Sequence, residues 1–221
     1  MSATTSPIPP TPTPDDYAAD GERPVIQDGP DPLALFREWL ATAGDHEPND
    51  ANAMSLATVD ENGMPDVRIV LLKDVSPSGF TFYTNHESAK GRQLAATGKA
   101  ALCFHWKSLG RQVRVRGSVT MVPAADSDAY FAQRARDSQI GAWASAQSRP
   151  LEGREALIAR IESLKATYEA QDVPRPPHWG GYSLRPETLE FWQAQAFRLH
   201  DRVLYTRDAI DEGWNRLRLN P

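Results

Sequence analysis

A chain of 221 residues that is 40% apolar can build one domain with a sizeable core, or at most two small ones. Its 24 basic and 29 acidic residues leave a net charge of −5, which argues against a nucleic-acid or anionic-membrane surface as its main business. The single cysteine, Cys103, rules out a disulfide framework and a cysteine-based metal site, and with no apolar run near membrane-span length a cytoplasmic protein is expected.

Residues 1–30 are rich in Pro, Thr, Ser and Asp, as in Pro9-Pro10-Thr11-Pro12-Thr13-Pro14. Such a segment buries too little apolar surface to offset its ordering entropy, so a disordered tail is expected before a single domain over 31–221. Asp31 is suited to cap a helix with Pro32 at its first position, and Leu33, Phe36, Trp39 and Leu40 then share one face. From Met54 the period becomes that of strands. Met54–Asp60, an Asn62-Gly63 turn and Pro65–Lys73 predict a β-hairpin.

Within that hairpin Ile69, Val70, Leu71 and Leu72 form an unbroken aliphatic run that reads as a buried strand, with Arg68 and Lys73 at its ends. Residues five apart on a regular strand face opposite ways, so the two cations serve different neighbours unless a bulge intervenes. A strand over Phe80–Thr84 follows, then a helix from Ala89 to Thr97 capped by Ser88 and closed by Gly98. Ala100–Trp106 and Gln112–Val122 predict a strand pair whose second member turns Gln112, Arg114 and Arg116 to one face and Val113 and Val115 to the core. Helices are expected over Ala124–Arg134, Ser138–Ala144 and Leu151–Ala170, and strands over Trp179–Leu184, Thr188–Gln193, Asp201–Tyr205 and Trp214–Leu219. Without βαβ alternation, the fold class is an antiparallel barrel with helices packed outside.

Phosphate-loop, nucleophile-elbow and metal-spaced histidine signals are absent, which leaves a hydrolase or metalloenzyme poorly supported. Anion-binding clusters are better represented. Tyr130 and Arg134 share a helix face and Ser138 opens the next helix, an arrangement that suits a phosphate monoester, or else a surface arginine beside an ordinary N-cap. If their segment between apolar strands is extended, Arg198 and His200 lie on one face of it, which marks a second candidate site.

Taken in order, several stretches resemble the pyridoxine (pyridoxamine) 5′-phosphate oxidase family. They are Asp31-Pro32-Leu33, Arg68–Lys73, Phe82-Tyr83-Thr84-Asn85, Gly110-Arg111-Gln112-Val113, Arg136–Trp143, Gln147-Ser148, Trp179-Gly180-Gly181-Tyr182, Glu190-Phe191-Trp192-Gln193 and Arg198–Arg202. The resemblance implies a split β-barrel homodimer with FMN at the subunit interface and a C-terminal dimerisation segment over about 179–221. It implies FMN contacts from Arg68, Ile69, Val70, Leu71, Leu72, Lys73, Tyr83, Thr84, Lys90, Gln112, Gln147, Ser148, Trp192 and Arg202. Lys73, Tyr130, Arg134 and Ser138 would hold the substrate phosphate, and Arg198, Leu199 and His200 would lie over the pyridine ring, with Arg198 and His200 catalytic and no metal.

The implied reaction is oxidation of pyridoxine 5′-phosphate or pyridoxamine 5′-phosphate to pyridoxal 5′-phosphate by hydride transfer to FMN, with oxygen reduced to hydrogen peroxide. Alternatives are a phenazine-pathway-type flavin oxidase and a non-catalytic barrel that binds FMN or pyridoxal phosphate. The chain departs from the family pattern at Ala89, where many members carry an arginine, and at Ala194-Gln195, where a Gly-Gly pair is common. Its N-terminal tail also lacks the Arg-x-x-Tyr pattern that closes over substrate in some members.

Overall fold

The computed structural model of the chain describes residues 8, 10–20, 23–208 and 212–221. Among them, nine strands pair in antiparallel fashion throughout, giving a curled, split barrel with helices outside it. The hairpin of β1 (Ala53–Val59) and β2 (Pro65–Leu71) is as the sequence predicts. The Asp60 carboxylate holds its turn, accepting from Asn62 N at 2.8 Å and Met64 N at 2.9 Å, while Gly63 takes φ 82°. The remaining strands are β3 (Asp74–Ser76), β4 (Gly79–Asn85), β5 (Lys99–Trp106), β6 (Arg111–Met121), β7 (Trp179–Gln193), β8 (Asp201–Thr206) and β9 (Asn215–Arg218). Their order is β2-β1-β5-β6-β7-β4-β3, with β8 and β9 extending from β7.

The two strands expected over 179–184 and 188–193 are a single strand, β7. Its first half pairs with β4 and its second with β8, while β6 runs along both. Pro186 has no N–H for the ladder, and it lies opposite Gly117, where the register shifts. A Cβ on Gly117 would fall 1.8 Å from the Arg185 carbonyl oxygen, so only glycine allows the strands to close there.

The core lies between the sheet and α2 (Pro32–His46), capped by Asp31, which accepts from Leu33 N at 2.8 Å. The Phe36 ring packs 4.9 Å from both Phe80 and Phe104, and Trp39 meets Phe191 edge-on at 5.2 Å. α3 (Ala89–Thr97) has the expected Ser88 cap and Gly98 stop, the latter at φ 61°. α4 (Ala124–Ala132), α5 (Arg136–Ala144) and α6 (Arg154–Thr167) lie outside the barrel. Phe131, Ile140, Val173 and Trp179 form a second small core there, and α6 packs on α5 without fully burying any residue.

Two expectations need correction. The aliphatic run in β2 is not a buried strand, because β2 is the edge of the sheet: Val67 and Ile69 are 63% and 64% exposed, and only Leu72 is in the core. Order also begins before Asp31. A short helix, α1 (Pro14–Asp20), places Tyr17 5.1 Å from the Phe197 ring, and Ile26 is buried in the main core. Ile26 N donates to Asp201 at 2.7 Å, Asp28 pairs with Arg216 and Arg218, and the Tyr205 hydroxyl donates to Gly29 O at 2.8 Å. Few apolar residues are involved, but β8 and β9 supply polar partners for the backbone. Residues 1–7, 9, 21 and 22, also assigned to the tail, lie outside the described residues.

Candidate active site

A cavity of about 730 Å³ opens between β2, β4, the start of α3 and the α4–α5 pair. Among the described residues four cations line it, Arg68, Lys73, Lys90 and Arg134, and no carboxylate does. β2 directs Arg68 against β1, where its guanidinium donates to Leu56 O at 3.1 Å, Thr58 Oγ1 at 2.5 Å and Gln93 Oε1 at 3.1 Å, and pairs with Asp66 at 2.5 Å. After Leu71 the chain leaves the regular strand. Leu72 N donates to Asn52 O at 2.9 Å and Lys73 N to Thr81 O at 2.8 Å. That break resets the alternation, so Arg68 and Lys73 line one cavity instead of serving opposite faces.

Lys90 lies in the first turn of α3 and donates to Thr84 Oγ1 at 3.3 Å and Gln147 Oε1 at 2.8 Å. Burial, and then the charge of Arg68, push the Lys90 ammonium below its usual range, against the weaker opposing charge of Asp66. On the opposite wall Tyr83 stacks on Tyr130 at 4.0 Å and on Trp179 at 5.3 Å. Arg134 reaches over Trp179 at 4.7 Å, and its Nη1 is buried without a hydrogen-bond partner. Burial lowers the pKa of Arg134 as well. Ser138 lines the cavity but does not open its helix: α5 begins at Arg136, and Ser138 N is already bonded to Ala135 O at 2.8 Å.

The cavity therefore gathers Arg68, Ile69, Val70, Leu71, Lys73, Tyr83, Thr84, Lys90, Tyr130, Arg134, Ser138 and Gln147. Leu72 is in the core, and Ser148, at φ 67°, is not among the lining residues. Gln112, Trp192 and Arg202 instead sit side by side on β6, β7 and β8. There the His200 ring packs 4.5 Å from Trp192, and Arg202 pairs with buried Glu190 at 2.8 Å, which also pairs with Arg114. Burial lowers the His200 pKa, with further lowering from Arg198 and Arg202. Phe197 and Arg198 both take left-handed backbone conformations, at φ 56° and 64°, and Leu199 is exposed. Each such non-glycine residue costs about 1–3 kcal/mol, which the surrounding structure must hold in place.

Sequence reasoning gave no role to Trp179 in the cavity wall, or to Gln93, Thr58 and Asp66 around Arg68. It also missed Gly141, Ala142 and Ser145 in the lining. Their spacing after Ser138 gives α5 one face of small residues, a signal that could have marked room for a ligand. A cavity with several cations, no carboxylate and an unpartnered buried guanidinium nitrogen fits phosphate-bearing ligands. The aromatic wall suits a flat ring system. At the departures from the family pattern, Ala89 contributes no cation, and the Ala194 turn is held by its N–H bond to Gly110 O at 2.8 Å.

Residues 41–168 match the family model for pyridoxamine 5′-phosphate oxidase, and residues 179–221 match that for the pyridoxine 5′-phosphate oxidase C-terminal dimerisation region. The pyridoxine/pyridoxamine 5′-phosphate oxidase of Hyphomonas neptunium is 58% identical over 219 residues, covering 99% of this chain and 100% of that protein. The protein of the same name from Caulobacter vibrioides is 54% identical over 224 residues, covering 100% of both. The crystal structure of PhzG from Burkholderia lata 383, in complex with tetrahydrophenazine-1-carboxylic acid, superposes with a TM-score of 0.82 at 33% identity. That match covers 88% of this chain and 95% of the other.

Proposed function

The chain belongs to the pyridoxamine 5′-phosphate oxidase family, and on that premise we propose that it oxidises pyridoxine 5′-phosphate and pyridoxamine 5′-phosphate to pyridoxal 5′-phosphate with FMN as cofactor. Oxygen is the final acceptor and becomes hydrogen peroxide; the amine substrate also takes up a water and releases ammonia. The observation that carries this reading is the cavity lined by Arg68, Lys73, Lys90 and Arg134 without a carboxylate, in which Arg134 Nη1 has no partner. A carboxylated tricycle would not need so many cations, which favours a phosphate ester over a phenazine-type substrate.

FMN, when bound, supplies the two-electron acceptor that then returns electrons to oxygen. The residues of the chain divide the remaining work. Arg68 and Lys90, supported by Thr84 and Gln147, hold the cofactor phosphate. Arg134, Lys73, Tyr130 and Ser138 hold the substrate phosphate. The protein acts as a homodimer in which one copy brings Gln112, Trp192, Arg198, His200 and Arg202 to the cavity of the other. The exposed aliphatic face of β2 and the match to a dimerisation region over 179–221 support that arrangement. Arg198 and His200 then act as hydrogen-bond donors that orient the pyridine ring and its reacting substituent.

The test is to purify the protein, record its absorbance spectrum, and add pyridoxine 5′-phosphate under air. A flavin spectrum with formation of aldehyde and peroxide is expected. A colourless protein that gains no flavin spectrum from added FMN would overturn the proposal, and a yellow protein without turnover would make it a binding module.

A further inference from the structure

Gln195 stands where a glycine is common in the family, and its backbone and side chain make three hydrogen bonds to the described residues. Its side-chain amide brackets one residue of the N-terminal segment. Gln195 Nε2 donates to Arg23 O at 2.8 Å, and Gln195 Oε1 accepts from Arg23 N at 3.2 Å. Its backbone N–H points the other way and donates to His200 Nδ1 at 3.2 Å. Between Gln195 and His200 lie two non-glycine residues with positive φ, Phe197 and Arg198. The four residues between Gln195 and His200 contain these two left-handed residues and one local hydrogen bond, Leu199 N to Ala196 O at 3.1 Å; local preference alone does not hold that shape, and it needs an external anchor.

We infer that Gln195 is a positioning residue: its clamp on the Arg23 backbone holds its N–H against His200 Nδ1 and thereby fixes the tautomer and orientation of that imidazole. A neutral ring that accepts at Nδ1 carries its proton on Nε2. His200 is therefore presented as a hydrogen-bond donor. In the neutral state, the nitrogen free to accept a proton is already occupied. The side chain of Trp192, 4.5 Å from the ring, limits rotation from the other side. This inference rests on the proposed reaction only for its kinetic consequence; the tautomer is a property of the protein itself.

The experiment uses the full-length protein, saturated with FMN, as wild type and as Gln195→Met and Gln195→Glu. Methionine keeps the length and loses both hydrogen bonds to Arg23, whereas glutamate keeps the acceptor for Arg23 N. Imidazole ¹⁵N signals from histidine-labelled protein, with His200 assigned by His200→Asn, should show a Nε2–H tautomer in wild type. The Gln195→Met variant should show averaging between tautomers, with Gln195→Glu in between. The value of kcat for pyridoxine 5′-phosphate should fall about tenfold in Gln195→Met, the scale of a slightly misplaced reacting group, while FMN affinity stays unchanged. A wild-type Nδ1–H tautomer, or an unaltered tautomer and kcat in Gln195→Met, would overturn the inference. If wild type proved to have no oxidase activity, the proposed function would fall while the ¹⁵N signals still decided this one. Circular-dichroism melts confirm that each variant is folded.

Discussion

The Arg134 guanidinium lies 4.7 Å over the Trp179 ring with its Nη1 buried and unpartnered, a cation fixed in place by an aromatic surface before any anion arrives. Replacing it by methionine keeps the length and removes the charge. Arg134→Met should raise KM for pyridoxine 5′-phosphate about 10–100-fold, the worth of one or two charge-assisted hydrogen bonds. FMN affinity, followed by quenching of flavin fluorescence, should hardly change. An equal loss in both measurements would reassign Arg134 to the cofactor.

Arg68 and Lys73 share the cavity but differ in what holds them. Arg68 is tied to Leu56, Thr58, Gln93 and Asp66, whereas the Lys73 backbone bonds to Thr81. Arg68→Ala should weaken FMN by at least about tenfold, since it removes a fixed charge-assisted donor. Lys73→Ala should mainly raise the pyridoxine 5′-phosphate concentration needed for half-maximal rate. Titrating FMN and substrate separately against each variant distinguishes the two effects.

The His86 ring lies edge-on to Tyr182 at 5.1 Å, with its Nδ1 buried without a partner. Burial lowers its pKa below the ordinary 6.5, and the charge of Arg175 and then His178 adds to the effect. The unfolded chain therefore binds this proton more readily than the folded one. The contribution of neutral His86 to stability is complete above the unfolded pKa of about 6.5 and is lost as pH falls through the folded value. The melting temperature of wild type should drop between pH values of about 7.5 and 5, and His86→Asn should flatten that drop. A parallel pH dependence in the two proteins would clear His86 of the effect.

Gly117→Ala addresses the bend of β7. The added methyl would meet the Arg185 carbonyl oxygen at 1.8 Å, so backbone must move on one strand or the other. Overpacking of this kind costs about 1–3 kcal/mol or more. Urea titration should show a lowered midpoint, and an unchanged midpoint would mean that the bulge at Arg116/Gly117 absorbs the methyl freely.

Much of this was legible in the chain because the signals were local. Asp31-Pro32, Ser88 with Gly98, and Asp60 through Gly63 act through their own backbone neighbours, and each forms the cap or turn expected of it. What was not legible depended on distant partners. Four aliphatic residues in a row look buried, but Ile69 and Leu71 are exposed on the edge strand of the sheet, a position that the run itself does not reveal. Pro186 reads as the end of a strand until Gly117 is seen opposite it. The order of residues 23–30 comes from Asp201, Tyr205, Arg216 and Arg218, roughly the whole chain length away. Among the named site residues, those on β2, β4 and α3–α5 converge, whereas Trp192, His200 and Arg202 form a group of their own.

That separation follows from the length of β7, which carries Trp179 of the cavity wall at one end and Trp192 of the histidine cluster at the other. If each catalytic centre takes one end from each of two chains, inactive chains can repair each other. Co-expressed Arg134→Met and Arg198→Ala proteins, each impaired alone at a substrate concentration near the wild-type KM, should form mixed dimers in which one centre inherits both defects and the other inherits neither. Mixed dimers isolated with two different affinity tags should then recover about half the wild-type rate, since one of two closed twofold-related centres is intact.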